Sequence, residues 1–242
     1  MTAKPISSYI SRIAAISVFA MACTATTAMA QNSKKGNSGD HKKMVNIEQE
    51  KDSIAFLRGV AVSADLIGAI QLGVSDYGQY EANIRFNLKD KYFPVFELGY
   101  GKADADDPTT KLTYKTSAPY MKMGVDFNIA RNKHDDYRIY VGARYAMTYY
   151  KFDVSAYDMK DPVWGDDVDF KETGVKANYH WLEGVFGVDA KIAGPLRLGW
   201  TLRYRKRIAH NDGSMGGTWY VPGYGKQGGT RLGGTFTVTF EI

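Results

Sequence analysis

The chain has 242 residues, enough for one large domain or two small ones with a sizeable buried surface. Its 17 Tyr, 11 Phe and 25 Gly favour β structure over helix. The formal charge of +5 falls to +3 when Lys4 and Arg12 leave with an N-terminal export signal, so the basic balance does not argue for nucleic acid as a partner. The single cysteine, Cys23, lies inside that signal, which removes Cys-based zinc and thiol chemistry from the mature chain.

Residues 1–30 read as a cleaved signal peptide. Lys4 and Arg12 form the positive region, residues 13–22 an apolar stretch too short to span a bilayer, and Ala28-Met29-Ala30 before Gln31 the small-x-small cleavage site. Lipidation at Cys23 is the weaker alternative, because Ala20 stands where a large aliphatic residue is usual. Residues 31–56 are polar and charged, and read as a periplasmic leader with a weak helical pattern over 44–56.

From residue 57 to 242 no apolar run of about 18 residues occurs, so the sequence excludes a helical membrane span. Period-two alternation appears instead and predicts eight strands over 57–73, 78–88, 92–102, 112–130, 137–154, 176–192, 196–209 and 229–242. Short polar turns at 89–91, 131–136 and 193–195 alternate with longer connections at 103–111, 155–175 and 210–228. That asymmetry predicts an all-β, eight-stranded, antiparallel up-and-down transmembrane β-barrel; the short link at 74–77 breaks the pattern.

The faces of the strands are chemically opposed. The seventh reads Leu196, Leu198, Trp200, Leu202, Tyr204 on one side and Arg197, Gly199, Thr201, Arg203, Arg205 on the other. The eighth sets Leu232, Phe236, Val238, Phe240 and Ile242 against Arg231, Gly233, Thr235, Thr237, Thr239 and Glu241. Alternation alone also fits a soluble lipocalin-like barrel with its apolar face inward. Three features favour lipid outside: glycines mixed with long charges on the polar face, Tyr92, Tyr100, Tyr137, Tyr149 and Tyr204 near the ends of the apolar face, and a chain that ends on a strand.

On that assignment the lumen holds Asp65, Glu81, Glu97, Asp126, Glu183, Asp189 and Glu241, facing Arg85, Lys122, Arg138, Arg144, Lys191, Arg197, Arg203, Arg205 and Arg231. An eight-strand barrel is only wide enough for side chains to fill, so the expectation is a structural ion-pair network.

The Ala-Met-Ala signal end before Gln31, the eight β segments and the terminal Thr-Val-Thr-Phe-Glu-Ile of residues 237–242 resemble the small outer-membrane β-barrel proteins of unknown function found in Bacteroidota, with OmpA/OmpX-like transmembrane architecture. The resemblance covers about residues 57–242 and implies no catalytic residue. Ile242 stands where many such barrels end in Phe.

Phosphate-binding loops, dinucleotide glycine patterns, His-Glu-x-x-His and Gly-x-Ser-x-Gly are absent from the sequence, and no cofactor is expected. His41, His134, His180 and His210 share no metal-ligand spacing; His210 with Asn211, Asp212 and Ser214 is the one acid/base grouping that would suit an outer-membrane lipid-modifying enzyme or protease. Asp104, Asp106 and Asp107, and separately Asp158, Asp161, Asp166, Asp167, Asp169 and Glu172, make two acidic loops that would suit Ca²⁺ or Mg²⁺ in ligand type, with a solvated surface as the plainer reading. Trp164, Trp219, Tyr220 and Tyr224 in the long loops are candidates for recognising a surface glycan or protein, or for folding onto the barrel rim. The expected role is a structural or surface-binding barrel partnered by outer-membrane lipid and, during insertion, by the barrel-assembly machinery. A small pore or transport accessory, and an envelope enzyme, are the alternatives.

Overall fold

The structure, a computed structural model, describes residues 55–107, 111–160 and 167–242. Eight antiparallel strands close on themselves: β1 (Leu57–Asp65), β2 (Tyr77–Leu88), β3 (Tyr92–Asp107), β4 (Leu112–Asn128), β5 (Tyr137–Lys160), β6 (Asp167–Ala193), β7 (Leu196–Asn211) and β10 (Thr230–Glu241), in the ring order β1-β10-β7-β6-β5-β4-β3-β2. Two two-residue strands, β8 (Tyr220–Val221) and β9 (Gly225–Lys226), form a separate small hairpin between β7 and β10. Among the described residues no helix is long and apolar enough to cross a membrane.

Closure follows from the register. Ala61–Asp65 of β1 pairs with Thr237–Glu241 of β10 on one side and with β2 on the other, so the first and last strands leave no open edge at this level. The tight β2–β3 turn over 89–91 puts Lys89 and Asp90 at φ 54° and 53°, the left-handed pair of a turn closed by the Lys91 N–H donating to the Leu88 carbonyl at 3.1 Å. Asp90 tolerates this because Asn87 ties it down: the Asp90 N–H donates to Asn87 Oδ1 at 2.9 Å.

The orientation of the faces excludes an inward apolar cavity. Trp200, Leu202, Tyr204, Leu232 and Phe240 are 46–66% exposed, whereas Glu97, Lys122, Asp126 and Glu183 are at most 1% exposed. The lipocalin-like arrangement is therefore inverted, with charge inside and hydrocarbon outside.

Three element boundaries depart from the sequence reading. The predicted first strand over 57–73 stops at Asp65, and Leu66–Val74 forms a helix, α1. The Asp65 carboxylate accepts from the Ile67 and Gly68 N–H groups at 3.1 Å each, capping the helix and ending the strand. The first connection thus runs from 66 to 76, which accounts for the short link at 74–77. Second, β3 continues to Asp107. Third, β5 runs to Lys160 and β6 begins at Asp167, so most of the predicted 155–175 loop is a β hairpin that leaves the barrel. Register shifts between Phe152 and Val154 and between Ala156 and Met159 break the alternation there.

Candidate functional site: a filled and plugged lumen

From the short-turn end upward, the inward positions of the strands stack in levels. At the lowest, Arg138 reaches Glu241 at 2.8 Å and Asp90 at 3.6 Å, and Arg197 holds Asp189 at 2.7 Å and Glu241 at 3.4 Å. Arg58 also pairs with Asp90, and His134 Nδ1 lies 2.7 Å from the same carboxylate. Burial pushes the Asp90 carboxyl up, but the bonds with His134 and Asn87 and the guanidinium groups of Arg58 and Arg138 outweigh it, holding the group below the ordinary carboxylate range. These side chains line a polar basin that opens at the short-turn end.

Above it, Arg85 bridges Asp189 and Asp126 at 3.2 Å each, with its guanidinium 4.6 Å from the centre of the Tyr140 ring. Arg144 takes the next step, 2.9 Å from Asp126 and 2.6 Å from Glu97. The top level is the densest. Lys122 Nζ lies 2.8 Å from Glu81, 3.2 Å from Glu183 and 3.7 Å from Glu97. Arg203 meets Glu81 at 2.8 Å and Glu97 at 3.0 Å, and Arg205 meets Glu183 at 3.0 Å. The chain of ion pairs is thus continuous from Asp90 to Glu183. Stranding any one member leaves a charge in a low-dielectric interior.

Neutral side chains complete the network. Tyr120 donates to Glu81 at 2.8 Å, and the Trp181 indole N–H donates to Glu183 at 2.8 Å. The Tyr120 and Tyr140 rings lie over Gly99 and Gly187, neither of which has room for a Cβ. These two glycines on the polar face are therefore the seats of lumenal tyrosines.

The upper mouth is closed by residues 212–229. Tyr220, Val221 and Tyr224 are buried among Tyr114, Tyr120, Tyr150, Phe152, Tyr179 and Trp181. Polar bonds lock the segment in place. Tyr114 donates to the Tyr220 carbonyl at 2.7 Å, Tyr220 to the Gly78 carbonyl at 3.2 Å, and Arg205 to the Tyr224 carbonyl at 2.8 Å. Gly223, at φ +81°, sits against the Tyr120 ring, which couples the plug to the ion-pair level beneath.

Most of the sequence-predicted lumenal set lies in this network: Glu81, Arg85, Glu97, Lys122, Asp126, Arg138, Arg144, Glu183, Asp189, Arg197, Arg203, Arg205 and Glu241. Three members are placed otherwise. Asp65 is buried but serves α1 and accepts from the Phe236 N–H at 3.2 Å, because its backbone is the last of β1. Lys191, paired across the sheet with Arg197, is exposed at the short-turn mouth, where it lines the polar basin without an ion-pair partner among the described residues. Arg231 is half-buried at the upper mouth, facing the plug near Gly225. Sequence reading missed Asp90, Arg58 and His134, since Asp90 and His134 lie in turns where alternation carries no information.

The loop aromatics need a correction. Tyr220 and Tyr224 are 1% and 0% exposed, so they are plug residues and not recognition residues. Trp219 is half-exposed at the rim, edge-on to Tyr77 with Lys226 over its ring. Trp164 lies outside the described residues. In the suggested acid/base grouping His210 Nε2 is 3.4 Å from Asp212, and the same carboxylate accepts from Gln227 of the plug at 2.9 Å. Of the acidic loops, Asp104 pairs with Lys115 at 3.3 Å and Asp106 accepts from Thr113 and Tyr157. Asp161 and Asp166, and the side chains of Asp158, Asp167 and Asp169, lie outside the described residues.

Residues 9–242 match the family described as Domain of unknown function (DUF6048). No curated protein matches the sequence. Among solved structures, the N-terminal β-barrel domain of OprF from Pseudomonas aeruginosa is similar, with 13% identity, a TM-score of 0.37, and coverage of 76% of this chain and 97% of that one. A major outer membrane protein from Thermus thermophilus gives 13% identity and a TM-score of 0.36, over 76% of this chain and 98% of that one.

Proposed function

The chain belongs to the DUF6048 family, and from the geometry above we propose that it is an outer-membrane anchor that holds a β hairpin rigidly at the cell surface. One observation carries this reading: the barrel is apolar outside and ionic inside, an arrangement stable in hydrocarbon and costly in water. An export signal, cleavage after Ala30 and the long-loop end facing outward complete the reading. Beyond the tyrosines of the outer face, β5 and β6 continue over 151–160 and 167–176, roughly 30 Å of strand at ~3.3 Å per residue. At the base of that extension the inward Phe152, Ala156 and Val175 are buried, with Phe152 and Val175 in the cluster around the plug, so the hairpin base is held rather than free. The pore reading is disfavoured by a lumen filled with side chains, and the enzyme reading by the structural use of Asp212.

Replacing residues 157–170 by a two-residue turn tests the surface role. The shortened protein is expected to assemble and shift on heating as the parent does, while intact cells lose adhesion to glycan- or protein-coated surfaces. Unchanged adhesion across such surfaces would contradict it.

A further inference from the structure

The inward arginines of the barrel are met by carboxylates at each level from Arg138 to Arg205, and above Arg205 that pairing stops. Arg205 itself is fully engaged, with Glu183 at 3.0 Å and the Tyr224 carbonyl at 2.8 Å. Its direct cross-strand partner on β10 is another cation, Arg231. Two residues further up β7, the Arg207 N–H donates to the Gly229 carbonyl at 3.0 Å, which places Arg207 opposite Gly229. Arg207 and Arg231 are therefore diagonal neighbours on adjacent strands, with Cβ atoms about 7 Å apart. Both are half-buried, and neither has a carboxylate partner among the described residues.

The two guanidinium groups face the plug from the inner side of the wall. Arg207 lies 5.9 Å from the centre of the buried Tyr179 ring, and Arg231 runs along Gly225, which has φ +107°. Tyr179 and Tyr224 both donate to the Gly228 carbonyl, at 2.8 and 2.9 Å, and so hold the glycine-rich turn over 225–229 beside the arginines. Burial pushes the Tyr224 hydroxyl up to about 12, while Arg207 and Arg231 both work against that rise, so the two charges act on one phenol. Arg205, Lys206, Arg207 and Arg231 put four cations on two paired strands, and Glu183 is the one carboxylate bonded to any of them among the described residues. Like charges so placed repel. The plug carboxylate of Asp212 is taken up by Gln227 and His210. Each guanidinium offers a planar fork of N–H donors, and two forks call for more acceptor oxygens than one carboxylate supplies. A phosphate supplies enough.

We propose that Arg207 and Arg231 form a phosphate site at the upper mouth, beside Tyr179, Tyr224 and the 225–229 turn, which takes inorganic phosphate or the phosphate of an ester such as a sugar phosphate. The bound phosphate offsets the repulsion among the cations of β7 and β10 and ties the plug turn to the wall. This role goes beyond that of anchoring the hairpin.

The test uses the full-length mature protein in a neutral detergent and a phosphate-free buffer, titrated calorimetrically with inorganic phosphate, glucose 1-phosphate and acetate. The wild type is expected to bind at least one of the two phosphates and to prefer it to acetate. Arg207→Gln with Arg231→Gln should weaken that binding about tenfold or more, the loss of charge-assisted hydrogen bonds from both forks. Arg207→Lys with Arg231→Lys keeps the charges without the forks and should fall between the two. Arg131→Gln with Lys91→Gln, at the opposite end of the barrel, is the control and is expected to leave binding unchanged. Each variant is first checked for the same heat-dependent gel shift as the wild type, so that a loss of binding is read only from an assembled barrel. Tighter binding of glucose 1-phosphate assigns the site to an ester, and tighter binding of inorganic phosphate assigns it to the free ion; both uphold the site. No phosphate binding by the wild type, acetate bound as well as phosphate, equal affinity in the wild type and the Gln variant, or an equal loss in the control would each overturn it.

Discussion

Lys122 has three carboxylates within 3.7 Å and no exposed surface. Lys122→Met removes a cation shared by Glu81, Glu97 and Glu183, and should cost about 3–5 kcal/mol, the usual penalty for breaking a buried pair from one side. The change is measured as a lower midpoint in urea unfolding from vesicles; a midpoint within error of wild type would show that the network is dispensable. Gly99 makes a sharper steric test. Gly99→Ala drives a methyl into the Tyr120 ring, which must leave Glu81, at a cost of about 1–3 kcal/mol. The same urea midpoint reads it, and an unchanged value would show that the ring has room to move. Asp90 gives the pH dependence. Its carboxyl is held below the ordinary value in the folded protein, so its contribution is fully present above about pH 4 and is lost as pH falls through the folded value. Asp90→Asn is therefore expected to flatten the acid limb of a stability-versus-pH curve and leave the alkaline limb unchanged. At this scale most of the lumen was legible, because Arg and Glu at alternate positions among apolar residues have few other places to go. Asp90 and His134 were hidden, since a turn residue declares its partners only once the barrel has closed.

At the scale of elements, the strands with clean alternation, β4, β7 and β10, were readable to within a few residues. The stretch Leu66–Val74 was not, because a nine-residue, mostly apolar segment bounded by polar residues fits a strand or a short helix equally well. Asp65 was the available signal, as a residue able to cap a helix. Its own alternation pointed instead to a lumenal ion. The plug was hidden for a different reason: Tyr220 and Tyr224 lie among Gly and Pro, a composition that suits an exposed loop, and only the neighbouring Tyr114, Tyr150, Tyr179 and Trp181 make burial favourable. The segment is held by hydrogen bonds from several strands, so deleting 216–228 should open the upper mouth while the charged levels beneath stay in place. Planar-bilayer recordings are expected to show almost no conductance for the parent and at most a small increase for the deletion. Large, ohmic channels in the parent would refute a filled lumen.

At the scale of the molecule, the alternation that predicted strands also predicted which way they face, but only through its chemistry. Glycine beside arginine on one side and tyrosine at the ends of the other are arguments about surroundings, and closure of β1 onto β10 turns them into an inside and an outside. A shell of Leu, Phe, Trp and Tyr around a core of ion pairs has its stable setting in a bilayer. The most direct test is gel migration of outer-membrane fractions kept in detergent, boiled against unboiled. The account predicts a band whose migration shifts on boiling, from a closed barrel recovered with the membrane. A chain that stays soluble in the periplasm and migrates identically with and without boiling would contradict it.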